Sequence, residues 1–126
     1  MKQFTIKKPW GEFIQFTHDE KSTVKILVVN PGEILSLQSH QKRAEFWSVV
    51  EGTPHFLIGK STKKYKIGDS VKIGKRVKHR IINKSKKLVR VLEISTGTFD
   101  ENDIIRYEDK YQRVKSLTIL PGSFLF

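Results

Sequence analysis

Four side chains with ligand chemistry fall into a short pattern. Gln38, His40 and Glu45 lie within one stretch of eight residues, and His79 follows later in the chain. Two imidazoles, a carboxylate and an amide oxygen make a mixed nitrogen and oxygen donor set. Such a set suits Zn, Mn, Fe, Co or Ni rather than Cu(I). Four protein donors would leave room on the ion for water or substrate, which Lewis-acid catalysis needs. Each residue alone has a plainer reading. A single strand histidine is more often structural, Glu45 suits a surface or salt-bridged acid, and Gln38 suits a satisfied core amide. His18 and His55 lie outside the pattern and read as surface or turn residues.

The elements that must position these groups are short strands. In Ile34-Leu35-Ser36-Leu37-Gln38-Ser39-His40, alternation puts Ile34, Ser36, Gln38 and His40 on one face. Glu45 opens the next strand and would reach the same height if the two strands pair. Further strands are expected at Val24–Asn30, Phe46–Glu51, His55–Ile58, Tyr65–Ile67, Ser70–Ile73, Arg80–Asn83 and Leu88–Ser95. Pro31-Gly32, Gly52-Thr53-Pro54, Gly59, Gly68-Asp69, Gly74 and Asn83–Lys87 punctuate them. This spacing suits a β-sandwich or barrel. A weak helical stretch is expected near Asp100–Arg113. The tail Val114–Phe126 ends in an apolar Ser-Phe-Leu-Phe and suits a packed strand, a partner-docking segment or a frayed end.

With 126 residues the chain reads as a single domain of residues 1–126. Hydrophobic residues make up 37%, enough for one core and too many for global disorder. No apolar run reaches the roughly 18–20 residues of a membrane span, and the N-terminus lacks a signal-type apolar stretch. The expected location is therefore cytoplasmic, with no membrane partner. Cysteine is absent, which excludes disulfides, thiolate metal sites and a cysteine nucleophile. The net charge of +11 is uneven: residues 60–90 carry 13 basic side chains against Asp69, and 13 − 1 = 12. Such a field favours anions, including nucleic acid, acidic lipid or a phosphorylated small molecule. Among those lysines only Tyr65 offers a stacking ring, so nucleic acid is not the expected partner. A solvated lysine-rich face is the bland alternative.

The full spacing is Gly32, five residues, Gln38, one, His40, four, Glu45, six, Gly52; then Gly68, five, Gly74, and later His79, three, Asn83. It resembles the two motifs of the cupin superfamily. Every interval matches, while Gln38, Gly74 and Arg76 replace His, Pro and Gly. Leu-Ser-Leu-Gln-x-His, Arg43-Ala44-Glu45-x-Trp47 and Val49-Val50-x-Gly52-Thr53 are similar to type II phosphomannose isomerases, which occur alone or as the C-terminal domain of bifunctional enzymes. Lys8-Pro9-Trp10-Gly11, Val77-Lys78-His79-Arg80, Asp103-Ile104-Ile105-Arg106 and Asp109-Lys110-Tyr111 add to the likeness, which spans about residues 8–113. Ser95 and Gln112 depart from the family pattern.

The resemblance implies an all-β cupin double-stranded β-helix, a jelly-roll barrel. It implies one divalent metal ion (Zn, Mn, Co, Fe or Ni) held by Gln38, His40, Glu45 and His79. The implied reaction is interconversion of mannose 6-phosphate and fructose 6-phosphate. Arg43 is expected at the cavity mouth or wall, as a clamp on phosphate or developing enediolate or as a strand-buttressing ion pair. Arg106 is expected to grip phosphate if its segment folds over the cavity. Lys42 is a candidate base, phosphate contact or bystander, and serves as a base only if burial or neighbouring cations depress its pKa. Trp47 and Trp10 suit core or cavity wall, with Trp47 also a substrate contact. Lys78 and Arg80 should face solvent. The expected partners are a small phosphorylated sugar and a second copy of the chain. The rival readings are a non-catalytic or differently specific sugar or nucleotide-sugar-binding cupin, an iron dioxygenase and a nucleic-acid binder.

Overall fold

The computed structural model describes residues 4–15, 21–98, 100 and 102–109, and every regular element among them is a strand. A hairpin of β1 (Phe4–Lys8) and β2 (Gly11–Gln15) precedes two larger antiparallel sheets. One has the order β3 (Ser22–Val29), β10 (Val89–Gly97), β5 (Arg43–Glu51), β8 (Ser70–Ile73). The other has the order β11 (Ile105–Glu108), β4 (Leu37–Ser39), β9 (His79–Ile82), β6 (His55–Ile58), β7 (Ser61–Lys64).

Side-chain alternation makes each sheet two-faced. On β5 the inward residues are Arg43, Glu45, Trp47 and Val49; on β10 they are Val89, Val91, Glu93 and Ser95. Both series run from apolar at one end to polar at the other, and the register aligns them: Val91 faces Val49, Glu93 faces Trp47, Ser95 faces Glu45. The apolar half fills with residues from both sheets, including Leu27, Val29, Val49, Phe56, Ile81 and Val89. Trp47 and Phe56 meet edge to face at 4.9 Å. Each such buried side chain contributes roughly 1.5–3 kcal/mol. The polar half is left to build a site.

Gly52 closes the β5–β6 turn at φ 84°, where a Cβ would lie 2.6 Å from the Leu88 carbonyl oxygen. No other residue fits there. Asn83 braces the same end: its amide donates to the carbonyls of Val29, Asn30 and Lys87, and its oxygen accepts from Ser85.

The all-β architecture stands as expected, with several local corrections. No helix forms within the described part of Asp100–Arg113, where β11 pairs with β4 instead. Pairing satisfies the backbone of a segment whose apolar residues lack helical spacing. The expected strand Tyr65–Ile67 is replaced by Ser61–Lys64, an exposed polar edge with no apolar alternation to reveal it. Ile34 makes only an isolated bridge to Ile82, ahead of β4. Trp10 sits in the turn of the first hairpin and is 73% exposed, neither core nor cavity wall. The tail 114–126, His18 and residues 110–113 of the expected helix lie outside the described residues.

Candidate metal centre

The strand of Glu45 does not pair with that of Gln38. β4 pairs with β9 and β11, whereas β5 belongs to the facing sheet. The donors therefore converge across the barrel interior, from two sheets. On one wall, Arg106, Gln38 and His79 form a continuous rung over β11, β4 and β9. Glu45 projects from the other wall, and His40 lies just beyond the end of β4. All five side chains are buried.

One ligand atom each from His40, Glu45 and His79 falls within a 4.8 Å cluster. Glu45 Oε2 lies 3.5 Å from His40 Nε2, and Glu45 Oε1 lies 3.3 Å from His79 Nε2. The tautomers follow from the other ring nitrogens. His40 Nδ1 donates to the Asp103 carbonyl at 2.7 Å, and His79 Nδ1 donates to the Val77 carbonyl at 2.9 Å. A carbonyl only accepts, so in the neutral rings each Nε2 carries a bare lone pair. Bare nitrogens against carboxylate oxygens repel unless a cation lies among them. Gln38 Oε1, buried with no hydrogen-bond partner, is a fourth acceptor on the same wall. This donor set fits a divalent ion. Arg43 competes for it: its Nε donates to Glu45 Oε2 at 3.2 Å and its Nη2 donates to His40 Nε2 at 3.2 Å.

The titration pattern agrees. Burial, reinforced by Arg43 and only partly opposed by Glu45, lowers the His40 pKa to about 4, so its lone pair stays available. Burial pushes the Glu45 carboxyl up, but positive charge placed on His79, His40 or Arg43 brings it down to about 2, as a cation in the cluster would. Glu93 behaves oppositely. Burial and the Glu45 charge raise it to about 8, against a hydrogen bond from Trp47 Nε1 at 3.1 Å. Of two neighbouring buried carboxyls, Glu45 is the anion and Glu93 keeps the proton.

The loops around the site are tied down. Asp103 accepts from the backbone N–H of Gln41 and of Lys42, each at 2.8 Å. The Arg76 N–H donates to the His40 carbonyl at 2.6 Å. Arg76 has φ 66°, so an arginine holds the left-handed conformation for which the resembling motif uses glycine. A cavity of about 200 Å³ is lined by Ala44, Glu45, Lys72, Ile73, Gly74 and Thr96, and shares Glu45 alone with the donor set. A larger one of about 420 Å³, at Gly52, Thr53, Lys66 and Ser85, lies past the far end of β5. Donor chemistry, not cavity size, locates the site.

A family model described as "Mannose-6-phosphate isomerase C-terminal" matches residues 1–109. The chain belongs to this family. Among curated relatives, mannose-1-phosphate guanylyltransferase ManC of Salmonella typhimurium is 36% identical over 110 residues, 86% of this chain and 23% of the relative. The alginate biosynthesis protein AlgA of Pseudomonas aeruginosa is 34% identical over 121 residues, 94% of this chain and 25% of the relative. The chain thus spans about a quarter of the length of the curated relatives it matches. Among solved structures, a cupin-superfamily sugar phosphate isomerase from Silicibacter pomeroyi superposes with TM-score 0.57 at 22% identity, covering 61% of this chain and 51% of that one. A cupin-2 domain from Rhodospirillum rubrum superposes with TM-score 0.60 at 15% identity, covering 79% and 71%. These likenesses establish the cupin fold.

The remaining expected residues of this family member divide by position. Arg43 is an interior group paired with Glu45, set inside the wall rather than at a mouth. Arg106 is buried opposite Gln38 on β11. Lys42 is exposed, on the loop after His40. Trp47 lies edge to face on the His79 ring at 5.4 Å, within the core cluster. Lys78 is exposed, as expected, and sits over the Tyr107 ring, whereas the Arg80 side chain is only 11% exposed, drawn down by its bonds to the Leu35 carbonyl and Glu108. Sequence reasoning passed over Glu93 and took Asp103 only as part of a family match. The signal for Glu93 was available: it falls in phase with Val89 and Val91, where an inward residue should be apolar.

Proposed function

We propose that this cupin domain is a metal-dependent aldose–ketose isomerase that interconverts mannose 6-phosphate and fructose 6-phosphate. The observation that carries the reading is the buried His40–Glu45–His79 cluster, with Gln38 beside it, in a chain of this family. His40, His79, Glu45 and Gln38 would hold the ion through Nε2 atoms, a carboxylate and an amide oxygen. The bound ion supplies Lewis-acid polarisation of the C1 and C2 oxygens of the opened sugar. The protein's own groups do the rest. The Nδ1 bonds to Asp103 and Val77 orient both rings. Arg43 and Arg106 place positive charge where the substrate brings phosphate and where enediolate charge develops. Trp47 and the core beneath it exclude water from that side. A proton leaves C2 and returns at C1.

The test uses the full chain loaded with Zn, Mn or Co. The expected result is turnover of mannose 6-phosphate that His40→Ala abolishes. A folded, metal-loaded sample that binds the sugar phosphate without turnover would identify a binding cupin instead. One that neither binds nor turns it over removes the substrate assignment.

A further inference from the structure

The end of the barrel away from the metal centre carries a second concave site. Three connections meet there: residues 52–54 after β5, residues 65–69 between β7 and β8, and residues 83–88 between β9 and β10. They enclose a cavity of about 420 Å³ lined by Gly52, Thr53, Lys66, Ile67, Ser85 and Lys87, the size of a small-ligand pocket. A neighbouring hollow of about 320 Å³ shares Thr53 and Lys66 with it. Gly52 stands seven residues beyond Glu45, roughly 23 Å of extended chain, so the two sites do not overlap. The walls are held in place. Asn83 pins the 83–88 turn to the carbonyls of Val29, Asn30 and Lys87. The 65–69 turn is pinned by the Tyr65 N–H on the Pro54 carbonyl at 2.8 Å and the Gly68 N–H on the Val49 carbonyl at 3.0 Å.

Charge selects the occupant. The two lysine-bearing turns hold Lys66, Lys84, Lys86 and Lys87 against one acid, Asp69, and Lys64 ends β7 beside them. Asp69 is turned to its own backbone, where its Oδ2 accepts from the Lys66 N–H at 2.9 Å. Glu51, at the end of β5, is paired with Arg90. The positive excess of residues 60–90 is thus focused on a hollow, which raises its pull on an anion. Ile67, 64% exposed, puts an apolar surface inside that basic rim. We propose that this hollow binds a small organic polyphosphate, its phosphates between Lys66 and Lys87 and its apolar ring against Ile67. Lysine meets phosphate as a point charge, and two lysines from different turns match more than one negative charge. Nucleic acid fits less well: the patch is a hollow and not a track, and Tyr65 stacks on Phe56 at 4.7 Å. The inference is independent of the isomerase reading.

Titration calorimetry of the full chain with ADP, pyrophosphate and adenosine as probes tests it, without added metal so that the His40 centre does not contribute. ADP should bind with a Kd of about 100 μM, and added salt should weaken it. Adenosine should bind at least about 10-fold more weakly, having no charge-assisted contact to make. Lys66→Glu and Lys87→Glu should each weaken ADP at least about 10-fold, the loss of one such contact, with strand content and zinc binding unchanged. Ile67→Ser should weaken ADP about 5-fold and leave pyrophosphate unchanged, because it removes apolar contact alone. Lys60→Glu makes the same change of net charge at the β6–β7 turn, the other end of that hairpin, and should leave ADP binding intact. No binding of ADP at millimolar concentration overturns the proposal. So does ADP binding that survives both lysine substitutions, or that falls equally in Lys60→Glu, since a diffuse field would then be its source. Tighter binding of a random DNA duplex than of ADP at equal phosphate concentration overturns it as well.

Discussion

Asp103 makes one contact to His40 and two to the loop after it: its carbonyl accepts from His40 Nδ1, and its carboxylate accepts from the backbone N–H groups of Gln41 and Lys42. One residue from the far end of the chain thus sets both the ring tautomer and the loop carrying it. Asp103→Ala should lower stability by about 2–4 kcal/mol, since charge-assisted hydrogen bonds are each worth about 1.5–3 kcal/mol. It should also weaken zinc binding about 10- to 100-fold. Urea denaturation and a chelator-competition titration measure the two effects.

Metal addition should raise the thermal midpoint of the full chain, because an ion that binds only the folded site stabilises it by mass action. Zn at about 100 times its Kd contributes about 2.7 kcal/mol. The shift should vanish in His79→Ala and shrink in Glu45→Gln, which keeps the shape and loses the charge. Calorimetry with and without Zn reads it directly.

The metal-free chain should lose stability on both sides of mildly acidic pH. Glu93 is raised from 4.5 to about 8, so its protonated form favours folding, and that contribution fades as pH climbs through this window. His40 is lowered from 6.5 to about 4, so its contribution is present above 6.5 and is lost as pH falls towards 4. Each group sets a slope of at most about 1.4 kcal/mol per pH unit. Glu93→Gln should flatten the alkaline limb and extend the acid limb up to about pH 6.5, because between 4.5 and 6.5 the Glu93 and His40 slopes oppose each other. Urea midpoints from pH 4 to pH 9 would show whether it does.

Arg76→Gly should raise stability by about 1 kcal/mol. The left-handed backbone costs a non-glycine residue about 1–2 kcal/mol, partly offset by the extra unfolded-state freedom of glycine. The N–H to the His40 carbonyl is retained in either case. A lower midpoint would mean that the Arg76 side chain itself supports the turn.

The grouping of Gln38, His40, Glu45 and His79 was legible from the motif resemblance, whereas strand alternation placed only Gln38 and His40 on one face. His55–Ile58, a largely apolar run, and Ser70–Ile73, an alternating one, were legible because glycines bound both. Ser61–Lys64 was not, since an exposed edge strand carries no burial pattern. Nor was β11, whose strand state depends on finding β4 as a neighbour.

Sequence alone therefore determined the family, the all-β class and the residue types of the centre. The family and the centre's residues rest on the motif resemblance, and the all-β class also on local rules, period two along strands and glycine at turns. Tertiary structure decided that Glu45 arrives from the opposite sheet, that Arg43 lies inside against it, and that Glu93 keeps a proton beside an ionised neighbour. Those outcomes depend on which distant strands face each other and how much water they exclude, and no interval along the chain encodes that.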